Sequence, residues 1–208
     1  MTSIGNNAFD GCTSLTSISI PEGVTNIGAL AFYGCSSLTS ISIPESVTSI
    51  GYGVFRACHS LTSISIPKSV TSIGEYAFYA CSSLTSISIP EGMTSIGTLA
   101  FYYCSALTSV ICYAESVTKL ESNVFGSYIP LSEATLYVPA SALKAYKDAD
   151  QWKDFGTILP LENIPAGINN VSAKQGKGTM YYTLDGVRIE KPMKKGIYIK
   201  NGKKVVIK

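Results

Sequence analysis

Few side chains in this 208-residue chain could carry chemistry, and most of those obey a fixed step. Cys12, Cys35, Cys58, Cys81 and Cys104 each lie 23 positions apart, and Cys112 stands outside that series. No Cys-x-x-Cys pair occurs and His59 is the only histidine, so a zinc site would lack ligands. A nucleophile–base pair needs a histidine or carboxylate close to its serine or cysteine. Here Asp10, Glu22, Glu45, Glu75 and Glu91 are scattered, and Glu22, Glu45 and Glu91 each directly follow a proline. There is no glycine-rich phosphate loop. The expectation is a protein that is not an enzyme, with no catalytic residues, no metal and no cofactor. The chemistry left is that of contact surfaces. Tyr33, Arg56, Tyr79 and Tyr102 keep the 23-residue step, with Tyr103 beside the last, and are residue types that concentrate binding energy at interfaces. Ser17/Ser19, Ser40/Ser42, Ser63/Ser65, Ser86/Ser88 and Ser109/Ile111 form a second series, a ladder dominated by hydroxyls.

The elements that position these residues follow from the same step. Phe9, Phe32, Phe55, Phe78 and Phe101 share it, as do Leu15, Leu38, Leu61, Leu84 and Leu107. A period in the twenties with a Leu-x-x-Ile-x-Ile core marks a leucine-rich-repeat solenoid. In Leu38-Thr39-Ser40-Ile41-Ser42-Ile43-Pro44, the serines point out and the isoleucines in, giving a short half-buried strand that Pro44 ends. Val47 and Ile50 form a second inward pair, Gly51 turns the chain, and the Ala31-Phe32 column returns it, expected as a short helical or 3-10 turn. One coil cannot bury its own apolar face, so stability must come from stacking neighbours.

The pattern Ala-Phe-x-x-Cys-x-x-Leu-x-x-Ile-x-Ile-Pro-x-x-Val-x-x-Ile-Gly resembles the BspA-like leucine-rich-repeat family of bacterial surface proteins. The resemblance covers residues 1–112 and implies an exported, cell-surface or secreted protein acting in adhesion. It supplies no catalytic residue. The organisation expected is a solenoid of about five coils over 1–112, a degenerate last repeat and helical cap over 113–160, and a linker with a small two-hairpin antiparallel β module over 161–208. The chain starts in mid-repeat, since Met1-Thr2-Ser3-Ile4-Gly5 aligns with Val47-Thr48-Ser49-Ile50-Gly51. An export signal and further repeats are therefore expected to precede it in the natural protein. The unpaired edge of that first coil is a candidate for pairing with a second copy.

The six cysteines are read as free thiols packed in the core, because parallel Cβ vectors on stacked coils suit a disulfide poorly. Past the repeats, Thr135-Leu136-Tyr137-Val138-Pro139 reads as one more strand and Ser141 as the N-cap of a short helix over 142–147. Trp152 and Phe155 then cover the open end, Trp152 being read as packing in preference to a ligand platform. In the tail, Asp185-Gly186 and Asn201-Gly202 between alternating runs signal two hairpins. Leu184-Asp185-Gly186 and Gly196-Ile197-Tyr198-Ile199 resemble C-terminal sorting modules of secreted proteins. A plain β appendage kept soluble by its lysines fits those residues as well. From Gly167 onward ten basic residues face only Asp185 and Glu190, whereas acidic residues outnumber basic ones up to Cys112. The lysines alternate with core positions and lack interleaved exposed aromatics, which argues against nucleic acid.

The functional expectation is a recognition or adhesion module outside the cell, with a host or neighbouring-cell protein or glycan as partner and no transmembrane span. Candidate contacts are Tyr33, Arg56, Tyr79, Tyr102 and Tyr103 on one face and Ser42, Ser65 and Ser88 on the other. The alternative is a structural spacer that presents a preceding region and has no ligand of its own. A water- or ice-ordering surface is disfavoured, because the outward strand positions are serine where threonine pairs would be wanted.

Overall fold

The computed structural model describes residues 1–126 and 128–165, together with four strands near the C-terminus. It divides into two compact units, Met1–Val171 and Ser172–Lys208.

In the first unit the Ile-x-Ile segments stack as parallel rungs. Ser17–Ser19 pairs with Ser40–Ser42, and Ser42 bridges to Ser65. Ser86–Ile89 then pairs in register with Ser109–Cys112, that strand with Thr135–Val138, and Thr135–Val138 with Thr157–Pro160. The stacking therefore runs on past Cys112, giving a solenoid of about seven turns. A second column of two-residue rungs, including Ser49–Ile50, Ser72–Ile73, Ser95–Ile96 and Lys119–Leu120, runs along another side. This column is interrupted: Ser3–Ile4 pairs with Asn26–Ile27, but Asn26–Ile27 is not joined to Ser49–Ile50.

The returns differ from the helical or 3-10 segments expected. Between residues 1 and 126 they are β-turns in series, closed by bonds such as Tyr79 N–H to Tyr76 O and Cys81 N–H to Phe78 O. Residues in the left-handed region interrupt any helix. One such position recurs at Asn7, Leu30, Gly53, Tyr76 and Leu99, another at Gly11, Gly34, Ala57, Ala80 and Tyr103. A left-handed residue points its backbone groups out of the turn. The returning segment thereby bonds to the next coil, as when Phe55 N–H donates to Ala77 O and Phe78 N–H to Ala100 O. Coils are thus bonded backbone to backbone on this side too.

The core is a stack of identical columns. Phe9, Phe32, Phe55, Phe78, Phe101 and Phe125 lie ring over ring, with centroids 5.1–5.7 Å apart and planes within 18°. Each of the last five is fully or almost fully buried, contributing roughly 1.5–3 kcal/mol. The buried thiols of the repeat series also tie coil to coil. Cys35, Cys58, Cys81 and Cys104 each donate from Sγ to the carbonyl of the phenylalanine 26 residues earlier, at 3.1–3.2 Å. All six cysteines are free, and Cys12, in the first coil, is exposed. Threonine hydroxyls bond coil to coil as well, Thr39 Oγ1 to Thr16 O and Thr94 Oγ1 to Thr71 O among them. Glycine in the Gly28, Gly74 and Gly97 column is required by close approach: a Cβ there would sit 2.5–2.7 Å from backbone atoms of the preceding coil.

After the last full repeat the chain forms a short helix, Leu143–Asp148, between 3-10 turns at Ala140–Ala142 and Trp152–Asp154. Ser141 does not cap that helix as expected. It lies within the preceding 3-10 turn and its hydroxyl donates to Glu115, leaving Ala142 at the N-cap without a side-chain bond. The buried Tyr146 hydroxyl lies 3.1 Å from Ser116 O and 3.2 Å from both Ala114 O and Cys112 Sγ, and accepts from Thr118 N–H. Trp152 is buried and donates from Nε1 to Thr118 O at 2.9 Å. The second unit is described as an antiparallel sheet, with Tyr181–Tyr182 between Arg188–Ile189 and Gly196–Lys200, and Lys203–Ile207 beyond. The Asp185-Gly186 and Asn201-Gly202 turns lie outside the described residues.

Candidate recognition surface

A residue that follows a buried phenylalanine in the return must face away from the core. Tyr33, Arg56, Tyr79 and Tyr102 occupy that position on successive coils. Backbone bonding between coils sets their spacing, and Tyr79 and Tyr102 stack at 5.8 Å with planes 8° apart, as the phenylalanines beneath them do. Tyr103 stands edge-on to both, at 5.4 Å from Tyr79 and 4.7 Å from Tyr102. Tyr33, Tyr79 and Tyr102 are half-buried, and Tyr103 is 36% exposed. The rings pack on each other and still present an edge to solvent.

Arg56 organises the other end of the stripe. Its guanidinium carbon lies over three rings, 5.1 Å from the Tyr79 centroid, 5.3 Å from Tyr76 and 5.5 Å from Tyr33. Cation–π contacts of this kind contribute roughly 0.5–2 kcal/mol, more as water is excluded. Tyr52, Arg56, Tyr76, Tyr79, Leu99, Tyr102 and Tyr103 together enclose a shallow cavity of about 410 Å³.

Three members of this cluster escaped the repeat pattern. Tyr52 meets Tyr76 edge-on at 5.7 Å, Tyr76 meets Tyr79 at 5.5 Å, and Tyr128 stacks on Tyr103 at 4.3 Å. Tyr52 and Tyr76 precede their phenylalanines, so they belong to columns occupied elsewhere by unlike residues (Ala29, Glu75 and Thr98 for Tyr52; Leu30, Gly53 and Leu99 for Tyr76). Their one sequence signal was the left-handed turn that Gly53 marks: Tyr52 directly precedes it and Tyr76 occupies the equivalent position on the next coil. Tyr128 follows the out-of-phase Phe125. Gly126 completes the arrangement: it has φ of 57°, and a Cβ there would fall 2.1 Å from the Tyr102 ring, so only glycine lets that ring lie across the backbone. A hydrogen bond with Tyr128, assisted by burial, pushes the Tyr103 phenol up to about 12, so it stays a neutral donor at physiological pH.

The serine ladder is a different kind of surface. Ser42 is exposed, Ser65 and Ser88 are half-buried, and none of them borders the cavity. At its far end the ladder departs from expectation, because Ser109 and Ile111 are buried, at 5% and 2% exposure. The register places Ile111 beside Tyr137, and Tyr137 beside Leu159, so an apolar run replaces the hydroxyls there. Among the described residues no three metal-ligating side chains converge, and no helix is long and apolar enough to cross a membrane.

The fold and the columns that build it define a class, the stacked leucine-rich-repeat proteins. The chain belongs to one family within that class, the BspA type leucine rich repeat region, which matches residues 2–132 in six copies. None of the curated proteins compared matches the chain. Among solved structures it is similar to the leucine rich repeat protein of T. pallidum, with 28% identity, TM-score 0.54, and coverage of 77% of this chain and 64% of that one. It is also similar to a leucine-rich repeat protein from Bacteroides ovatus, at 32% identity, TM-score 0.48, covering 68% of this chain and 48% of that one. The pneumococcal vaccine antigen PcpA shares the fold, at 19% identity and TM-score 0.52, over 77% of this chain and 41% of that one. The chain thus spans less than two thirds of the length of these relatives. The matched family is a repeat family of bacteria and no enzyme family is indicated, which is consistent with a protein-interaction module.

Proposed function

We propose that this chain is a recognition module of the adhesion type, displayed at the cell surface or secreted, that binds a host or neighbouring-cell protein or glycan. The observation that carries the reading is the tyrosine–arginine cluster around the 410 Å³ cavity, built from hot-spot residue types on neighbouring coils. Pre-packed aromatic side chains offer a large contact area at little cost in conformational entropy, which the short hydroxyls of the serine ladder do not. In this reading the segment from Pro139 to Phe155 acts as the cap of the solenoid. Tyr146 and Trp152 bond the carbonyls and amide of residues 114–118 with side chains, where the second column of rungs ends at Lys119–Leu120.

The test is a binding screen of the purified chain against immobilised extracellular-matrix proteins and glycans. A Tyr33→Ala/Tyr79→Ala/Tyr102→Ala variant and a Ser42→Lys/Ser65→Lys/Ser88→Lys variant run alongside. Saturable binding lost only in the tyrosine variant supports the reading. Binding lost only in the serine variant moves the site to the strand face, and no saturable binding at all removes the adhesion reading in favour of a spacer.

A further inference from the structure

The recognition reading leaves the ligand chemistry open, and the surroundings of Arg56 narrow it. We propose that the cavity takes a carboxylate side chain, aspartate or glutamate, from a protein partner, with Arg56 as the residue that binds it. This rests on the recognition reading above.

Arg56 is one of only two basic residues before Cys112, and it occupies a column filled on the next coils by Tyr79 and Tyr102. Its guanidinium carbon sits over the faces of three surrounding rings, 5.1–5.5 Å from their centroids. Its five N–H donors lie in the guanidinium plane, and among the described residues none has a hydrogen-bond or ion-pair partner. The group is therefore held among the rings, and among the described residues its donors are left for a ligand. A planar fork of this kind matches a carboxylate bidentately.

The ring geometry points the same way. Tyr52 on Tyr76, Tyr76 on Tyr79, and Tyr103 on both Tyr79 and Tyr102 are all edge-to-face contacts. This packing fixes the cavity wall, and the five tyrosines in it carry phenol donors that suit an anion. Tyr79 and Tyr102 cover one face of each other, as do Tyr103 and Tyr128, which leaves less ring face for a sugar to stack on. A volume of about 410 Å³ holds one or two side chains.

The experiment measures binding of acetyl-Phe-Glu-Phe-amide and acetyl-Phe-Gln-Phe-amide to the full chain by tyrosine-ring chemical shifts, at low and high salt. The expected result is a preference for the glutamate peptide of about tenfold or more, diminished by salt. Arg56→Gln abolishes the preference, Arg56→Lys retains part of it, and Tyr79→Ala weakens both peptides alike. Equal affinity for the two peptides, no binding of either at millimolar concentration, or a preference that survives in Arg56→Gln overturns the proposal. Methyl glucuronide is the third probe. If it binds more tightly than the glutamate peptide and depends on Arg56, the anion comes from an acidic glycan and the protein assignment falls. The two readings fail separately: matrix-protein binding that needs the tyrosines and ignores Arg56→Gln sinks only the carboxylate inference, whereas binding that ignores the tyrosines sinks the recognition surface itself.

Discussion

Two glycines at equivalent positions of the repeat, Gly51 and Gly97, should respond to the same substitution with opposite signs. A methyl group at Gly97 would lie 2.6 Å from Glu75 N and 2.7 Å from the Gly74 carbonyl carbon, about 0.8 Å inside ordinary contact. Both obstacles are backbone held by the Ser72–Ile73 and Ser95–Ile96 rungs, so neither can swing aside. Overpacking of this kind costs about 1–3 kcal/mol. At Gly51 the nearest atom is Ile27 O at 3.9 Å, because that column of rungs is interrupted between Ile27 and Ile50. Neither glycine has positive φ, so alanine at Gly51 gains about 0.4–1 kcal/mol from the less flexible unfolded chain. At Gly97 the same gain is outweighed by the clash. Urea titration followed by circular dichroism should therefore place Gly51→Ala above the wild type and Gly97→Ala below it, separated by about 1–3 kcal/mol. In thermal melts that is a gap of about 2–12 °C. If both variants move the same way, inter-coil contact is not what fixes glycine in this column.

Tyr146→Phe removes the hydroxyl shared by Ala114 O, Ser116 O, Thr118 N–H and Cys112 Sγ, and should cost about 1–3 kcal/mol, whereas Tyr79→Phe stays within about 0.5 kcal/mol; equal denaturant midpoints would contradict the hub. Burial pushes the Cys35 thiol up to about 11 and the Cys104 thiol up to about 12. In the unfolded chain these thiols ionise from about pH 8.5, so the stabilisation is complete below about pH 8, falls as pH rises above that and is lost by 11 to 12, where the folded thiols ionise too. Denaturant midpoints should be flat in the lower range and fall in the upper one; a midpoint unchanged to about pH 11 would mean the thiols are not buried in this way.

What the sequence made legible was everything that repeats with a single step. Phe78, Cys81, Leu84, Ile87 and Ile89 could be placed inward because each has counterparts 23 residues away, and all are buried. The turn conformation was hidden because Leu30, Tyr76 and Leu99 adopt a backbone region that their residue types disfavour, held there by inter-coil bonds that no local signal encodes. The threonine hydroxyl bonds from coil to coil were not read at all, since hydroxyls beside buried residues read equally well as plain solvation. In the candidate site, Tyr33, Arg56, Tyr79 and Tyr102 followed from the step, while Tyr52, Tyr76 and Tyr128 required the left-handed turns and the phase shift at Phe125 to be known first.

The sulfur column also makes the molecule its own ruler of local opening. Cys35, Cys58, Cys81 and Cys104 are all shut off from solvent and bonded to equivalent carbonyls at successive points along the stack. A thiol reagent can reach each only when its own coil parts from its neighbour, whereas Cys12 is accessible throughout. Mass spectrometry of partially labelled protein would then give an opening free energy for each coil from one experiment, without introducing a single substitution. Unravelling from an end would label the thiols in positional order, and all-or-none unfolding would label them together.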